Sequence, residues 1–200
     1  MNVIGLCGGS GSGKSTVASM FLSCGIPSID ADAVYHIITS TEGDCLRELR
    51  EAFGDGIVRD GALDRRALSA IVFADGARQK REQLNAITHR YVLTHTRRVL
   101  RDMEREGVRA VMFDAPLLFE SGFDKECRAS VCVVADMAVR IRRLVARDAM
   151  TEEQARRRIA SQMSDEELLR RCQFSIDNSR DLRDTERQVR EIAKTILLWD

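Results

Sequence analysis

Five short, largely apolar runs recur along the chain: Val3–Cys7, a shorter Ile26–Ile29, Ala110–Phe113, Val131–Ala135 and Phe174–Ile176. They have the pattern of strands covered on both faces. Helical patterns separate them, so the predicted fold is α/β, a doubly wound parallel five-stranded sheet with its ligands at the carboxyl ends of the strands. The interval between Ala33 and Gly107 is too long for one crossover helix. Its helical patterns, around Ala33–Ser40, Asp44–Phe53, Leu63–Phe73 and Gln79–Glu106, read as a helical insert that carries a second substrate.

Between Met137 and Arg171, nine arginines stand against six acidic residues. Thr151 is followed three residues on by Gln154, and Ser164 by Glu167, both with the spacing of a helix capping box. The expected organisation is therefore a single chain with a core at about 1–32, 108–136 and 172–200, an insert at about 33–107 and a lid at about 137–171. No internal repeat interrupts it, and two prolines, Pro27 and Pro116, provide no linker.

Composition narrows the function. Two hundred residues, 44% of them hydrophobic, suffice for one sizeable core. Charges balance at 31 of each sign, which gives no global field toward nucleic acid or an anionic membrane, so neither is expected as a partner. No apolar run approaches membrane-spanning length and no basic start leads into a long apolar core, so a cytoplasmic protein is expected. Six cysteines (Cys7, Cys24, Cys45, Cys127, Cys132 and Cys172) show no Cys-x-x-Cys spacing and no clustering with the three histidines. Cys7 and Cys132, inside strand-like runs, read as small core residues.

The chemistry begins after the first run. Gly8 to Ser15 is a glycine, four free positions and then Gly-Lys-Ser, the pattern of a phosphate-cradling loop. Glycines there let the backbone approach a ligand, so that consecutive N–H groups of Gly11, Ser12 and Gly13 converge on phosphate oxygens. Lys14 adds a charge at the β and γ phosphates, the Ser15 hydroxyl is placed to hold magnesium, and Thr16 lies in a helix whose positive end faces the anion. A flexible Gly/Ser linker would not be preceded by a strand and followed at once by the helical pattern of Val17, Phe21 and Leu22. Arginine outnumbers lysine 27 to 4, yet position 14 is a lysine.

Asp30 and Asp32 follow the second run and should project near the phosphate loop; one of them is a candidate base for an attacking hydroxyl, the other a helix cap. Asp114 closes the third run, the place for a magnesium-associated carboxylate. Arg143 and Arg147 are four apart and share a helix face after an apolar strand, where two guanidiniums can embrace a triphosphate. His89 lies on a long helical pattern, while His36 and His95 have no motif around them and read as structural. Asn178 and Asp181 have the spacing of a guanine-reading loop, but Ser179 replaces its lysine and no glycine lies three residues after Asp114.

These residues together resemble the dephospho-coenzyme A kinase family, along nearly the whole chain. The likeness runs through Gly8 to Thr16, Ile29-Asp30-Ala31-Asp32, Leu63 to Leu68 with Val72-Phe73, Asn85 to His89, Asp114 to Glu120, Arg143 to Asp148, Arg158-Ile159 with Gln162, and Ile176-Asp177-Asn178. It implies a P-loop kinase core with a helical coenzyme-binding insert and a helical lid. It also implies ATP- and Mg2+-dependent phosphorylation of the ribose 3′-hydroxyl of dephospho-coenzyme A. By the resemblance, Asp32 becomes the base, Lys14 and Arg143 stabilise the transferred phosphoryl, Arg147 and Asn178 join the phosphate loop in holding ATP, and Arg65, His89 and Leu117 lie on the coenzyme side with Asp32. Ser15 and Asp114 go to the metal. Two positions depart from the family: Arg90 stands where a proline is usual, which puts a local turn near His89 in question, and Cys172-Gln173-Phe174-Ser175 replaces the usual approach to Ile176. Another small-molecule or nucleoside monophosphate kinase, or a nucleotide-dependent switch, would share the phosphate loop but not these later stretches.

Overall fold

The computed structural model describes residues 1–74 and 76–199. In chain order the elements are β1 (Asn2–Cys7), α1 (Lys14–Ser23), β2 (Ser28–Asp30), α2 (Ala31–Thr39), α3 (Asp44–Phe53), β3 (Val58–Arg59), β4 (Ala62–Leu63), α4 (Arg65–Val72) and α5 (Arg78–Arg105). They continue with β5 (Ala110–Asp114), β6 (Ala129–Val134), α6 (Met137–Asp148), α7 (Glu152–Ala160), α8 (Asp165–Arg171), β7 (Phe174–Asp177) and α9 (Leu182–Leu197). The chain divides into two compact units, Met1–Asp30 with everything from Glu104 onward, and Ala31–Met103.

In the first unit the five apolar runs form one parallel sheet in the order β2-β5-β1-β6-β7. On one face Ile4, Leu6, Met112, Val131, Val133 and Ile176 pack with Val17 and Phe21 of α1 and Val189 and Ile196 of α9. Alternate residues of β1 point the other way, where Gly5 lies so close to the buried Leu118 that a Cβ would stand 2.5 Å from its Cδ2. Gly5 is thus a seat for Leu118. Phe113 and Phe123 pack beside it with centroids 4.4 Å apart.

Two edges differ from expectation. The second strand begins at Ser28 rather than Ile26, because Ile26 donates its N–H to Phe21 and Gly25 adopts φ 84° in closing α1. Thr151 and Gln154 form the full reciprocal capping box. Ser164 provides only half of one: it accepts Glu167's N–H, but the Glu167 carboxylate turns to Arg170 and Arg171 instead of returning to the cap.

The second unit is helical, with its own core of Cys45, Leu49, Ile57, Leu68, Val72 and Ile87. Periodicity alone passed over the β3–β4 hairpin, which turns through Asp60 and Gly61, both at positive φ. Leu63 belongs to that hairpin, and the helix expected from it starts at Arg65, capped by the Asp64 carboxylate on the Ala67 N–H at 3.0 Å. Arg90 brings no turn. It lies within the unbroken α5, where it pairs with Glu48 and stacks 4.9 Å from the Tyr91 ring centroid.

Candidate active site

The loop between β1 and α1 leaves the carboxyl end of the central strand, with β5 and β6 on either side. Gly13 caps α1 in the left-handed region at φ 91°, and Gly11 stands at φ 80°. Sterics require glycine more strongly than φ does. A Cβ on Gly11 would stand 2.6 Å from the Arg140 carbonyl oxygen, one on Gly9 would strike the Arg140 guanidinium, and one on Gly13 would strike the Asn178 amide. The loop is therefore moulded against α6 and the end of β7.

Arg140, which pattern reading passed over, is the centre of that mould. It is almost wholly buried; its Nε donates to the Ser10 carbonyl at 2.9 Å and its Nη1 to Asp165 at 2.8 Å, while Nη2 has no partner. Gln162, quoted above only as part of the resemblance, accepts the Ser10 N–H at 2.7 Å. A buried arginine every fourth position from exposed ones could have been sought in the α6 periodicity, but its partner Asp165 lies 25 residues away.

Arg143 donates to the carbonyls of Gly11, Ser12 and Asn178 at 3.2, 3.1 and 2.9 Å. Asn178 is buried: its amide donates to the Ser12 carbonyl at 2.7 Å and accepts from the Thr185 hydroxyl at 2.9 Å. Between them they tie down the Gly11 and Ser12 carbonyls of the loop. Ser12 is buried with its hydroxyl unpartnered, and Ser15 and Thr16 are exposed at the start of α1.

Lys14 reaches across to an ion pair with Asp114 at the end of β5, both largely buried. Asp114 stands in register with Leu6 of β1 and Asp30 of β2, so the two carboxylates end adjacent strands at the same edge. Arg147 forks onto Asp148 at 2.7 and 2.9 Å, and Arg158 of α7 donates to the same carboxylate at 3.0 Å. Hydrogen bonding by Arg147, with help from Arg158, holds the Asp148 carboxyl below the usual carboxylate range. Beside these groups opens a cavity of about 500 Å³ lined by Gly13, Thr16, Arg143, Arg147, Asn178 and Leu182 among others.

In the second unit Asp32 is exposed in the first turn of α2, four residues before His36 and so on the same helix face. His36, which has no sequence motif around it, lies against the Arg65 guanidinium, which is also 5.9 Å from the Tyr35 ring centroid. His89 is half-buried on α5. Leu117 belongs to the first unit, exposed next to its buried neighbour Leu118.

No helix among the described residues is long and apolar enough to cross a membrane. None of their His, Cys, Asp and Glu side chains form a group of three that would hold a metal unaided.

A parallel sheet of this order with a glycine-moulded anion loop and its lysine at the central strand is that of a P-loop kinase. The chain matches the family model described as "Dephospho-CoA kinase" (CoaE) over residues 2–184. A dephospho-CoA kinase of Corynebacterium glutamicum is 40% identical over 195 residues, 97% of this chain and 96% of its own. One of Symbiobacterium thermophilum is 43% identical over 190 residues, 94% of this chain and 79% of its own. Among solved structures, TT1252 from Thermus thermophilus superposes with TM-score 0.80 at 32% identity, covering 100% of this chain and 98% of the other. A dephospho-CoA kinase of Campylobacter jejuni shares the fold, with TM-score 0.71 at 24% identity over 98% of this chain and 96% of its own. This chain belongs to the dephospho-CoA kinase family, and it is a kinase of the transferase class.

Proposed function

We propose that the reaction of this chain, ATP-dependent phosphorylation of dephospho-CoA in the final step of coenzyme A biosynthesis, places the phosphoryl group on the ribose 3′-hydroxyl and proceeds with Mg2+ in the cytoplasm. The observation that carries the phosphoryl-transfer half is the moulded loop, with its carbonyls tied back by Arg143 and Asn178 and Lys14 at its mouth. Its N–H groups cradle the β and γ phosphates, and the adjoining cavity, with Leu182 on one wall and Arg147 on another, accommodates the nucleoside.

Each side chain then has a task. Asp32 accepts the proton of the attacking hydroxyl. Lys14 exchanges the Asp114 carboxylate for phosphate oxygens and, with Arg143, offsets charge that grows on the transferred group. Arg147 clamps the nucleotide, and Arg65, His89 and Leu117 contact the coenzyme substrate. Arg65 suits the substrate's pyrophosphate because its planar fork is already oriented by His36 and Tyr35. The donor set fits magnesium, which binds through one or two protein oxygens and takes the rest from phosphates and water: Ser15 and Asp114 are those oxygens. When bound, the ion neutralises phosphate charge and orients the triphosphate. Residues at about 1–32, 108–136 and 172–200 serve as core, those at about 137–171 as lid and those at about 33–107 as the coenzyme insert.

Incubation with ATP, Mg2+ and a panel of hydroxyl acceptors tests this reading. Turnover on dephospho-CoA with the product phosphorylated at the 3′ position supports it; preferred turnover on another nucleoside or small alcohol overturns the acceptor assignment.

A further inference from the structure

Three cysteines far apart in sequence meet at the base of the phosphate loop. Cys7 ends β1 immediately before Gly8, Cys132 stands beside it in register on β6, and Cys172 joins α8 to β7. The Cys7 and Cys172 sulfurs are 3.5 Å apart. Around them the Cys7 thiol donates to the Val131 carbonyl at 3.7 Å, the Cys132 thiol to the Phe174 carbonyl at 3.6 Å, and the Ser130 hydroxyl to the Gln173 side-chain oxygen at 3.1 Å. Cys7 and Cys132 are buried, and Cys172 is partly open to solvent. The phosphoryl-transfer chemistry uses none of the three.

We propose that this cluster is an oxidative modification site: Cys172 is the thiol that reacts with a hydroperoxide, Cys7 resolves it as a disulfide, and the cross-link slows phosphoryl transfer. The attacking form is a thiolate, and contact with Cys132 and then Cys7 lowers the Cys172 thiol from its ordinary range, while contact with Cys172, then burial, raises Cys7 and Cys132. The Cys172 thiolate attacks the terminal peroxide oxygen, the O–O bond breaks, and alkoxide (hydroxide from hydrogen peroxide) leaves and takes a proton from water, giving a sulfenic acid. The Cys7 thiol then gives up its proton and attacks that sulfur; the S–O bond breaks and water leaves. Two thiols and one hydroperoxide thus yield a disulfide, water and the alcohol or second water. A dithiol reductant reverses it by two exchanges.

The structural consequence is local. A disulfide is about 2.05 Å long, so the two sulfurs must close by roughly 1.5 Å from their 3.5 Å separation. Cys7 is bonded to Gly8, the first residue of the loop, which packs so closely that a Cβ there would stand 2.6 Å from the Val133 carbonyl and 2.8 Å from the Ser12 hydroxyl. Displacement of Cys7 therefore passes directly into the loop.

The test uses the full chain, reduced, freed of reductant and exposed to hydrogen peroxide before either substrate is added. Peptide mapping after alkylation should find Cys7 linked to Cys172. Turnover should fall by roughly tenfold, and dithiothreitol should restore both. Cys172→Ser should keep the basal rate and lose the sensitivity. A link between Cys7 and Cys132, oxidation of Cys172 without a cross-link, or a cross-link with unchanged turnover overturns the proposal. So does undiminished sensitivity of Cys172→Ser. Should that variant not fold, Cys172→Ala and the wild-type peptide map carry the same decision. Absence of basal kinase activity would instead overturn the functional reading, which the peptide map does not depend on.

Discussion

The Gln162 side-chain oxygen accepts the Ser10 N–H at 2.7 Å, so a residue between α7 and α8 holds an amide at the tip of the phosphate loop. That contact ties the tip of the loop to the segment between α7 and α8. Gln162→Ala should raise the KM for ATP a few-fold, on the order of 1 kcal/mol of lost preorganisation, with a smaller effect on kcat. Steady-state kinetics at saturating dephospho-CoA measure the split. An equal fall in kcat with KM unchanged would mean that Gln162 acts in the transition state.

Arg140 stands beneath the same loop, buried between the Ser10 carbonyl and Asp165. Arg140→Ala would open a cavity and strand both acceptors, at a cost of about 3 kcal/mol. Chemical denaturation should show a lowered midpoint. Gly9→Ala should destabilise for the complementary reason, since its methyl group meets the guanidinium. An unchanged midpoint for both would mean that the loop is not moulded on Arg140.

Lys14 faces Asp114, and on the proposed mechanism it offsets charge that develops on the transferred phosphoryl. Lys14→Ala should therefore lower turnover about a thousandfold or more while the fold persists. Arg143→Ala should depress turnover more than ATP affinity, and Arg147→Ala should weaken nucleotide binding as well. Single-turnover rates together with equilibrium ATP binding separate the three.

On the proposed mechanism Asp32 and Asp114 have separable roles. Asp32→Asn keeps the shape but removes the proton acceptor, so ATP–Mg2+ binding should survive while transfer falls about a hundredfold or more. Asp114→Asn should raise the magnesium concentration for half-maximal rate. A magnesium titration of both variants checks this. Rescue of Asp32→Asn alone by extra magnesium would exchange the assignments.

The pH behaviour of α6 and α7 follows from Asp148, whose carboxyl Arg147 and Arg158 hold below its ordinary range. A carboxyl depressed by folding adds stability that is complete above the unfolded pKa, about 3.9, and is lost as pH falls through the lower folded value. An NMR pH titration should place the Asp148 midpoint below about 3.9, and Arg158→Ala should move it upward. A midpoint that does not respond to Arg158 would discount the pair.

Local chemistry made much of this protein legible in its amino-acid order. Continuous apolar runs can be satisfied only in a sheet covered on both faces, and the glycine spacing with Lys14 needs one contiguous stretch, so sheet, loop and family could be read directly. Short signals were lost: two-residue strands carry no period, so the hairpin at Asp60-Gly61 fell between two helical patterns and its last residue, Leu63, was read as the start of a helix. Contacts between distant positions were decided by the tertiary structure alone. Nothing near Arg140 announces that it will be buried against Ser10 and Asp165, nor anything near His36 that Arg65 will meet it 29 residues on. The cysteines make the same point, because Cys7, Cys132 and Cys172 have no motif in sequence and acquire one only when parallel strands β1, β6 and β7 lie side by side. Backbone hydrogen bonding sets that adjacency, and through it the chemistry available to side chains that sequence spacing leaves unrelated.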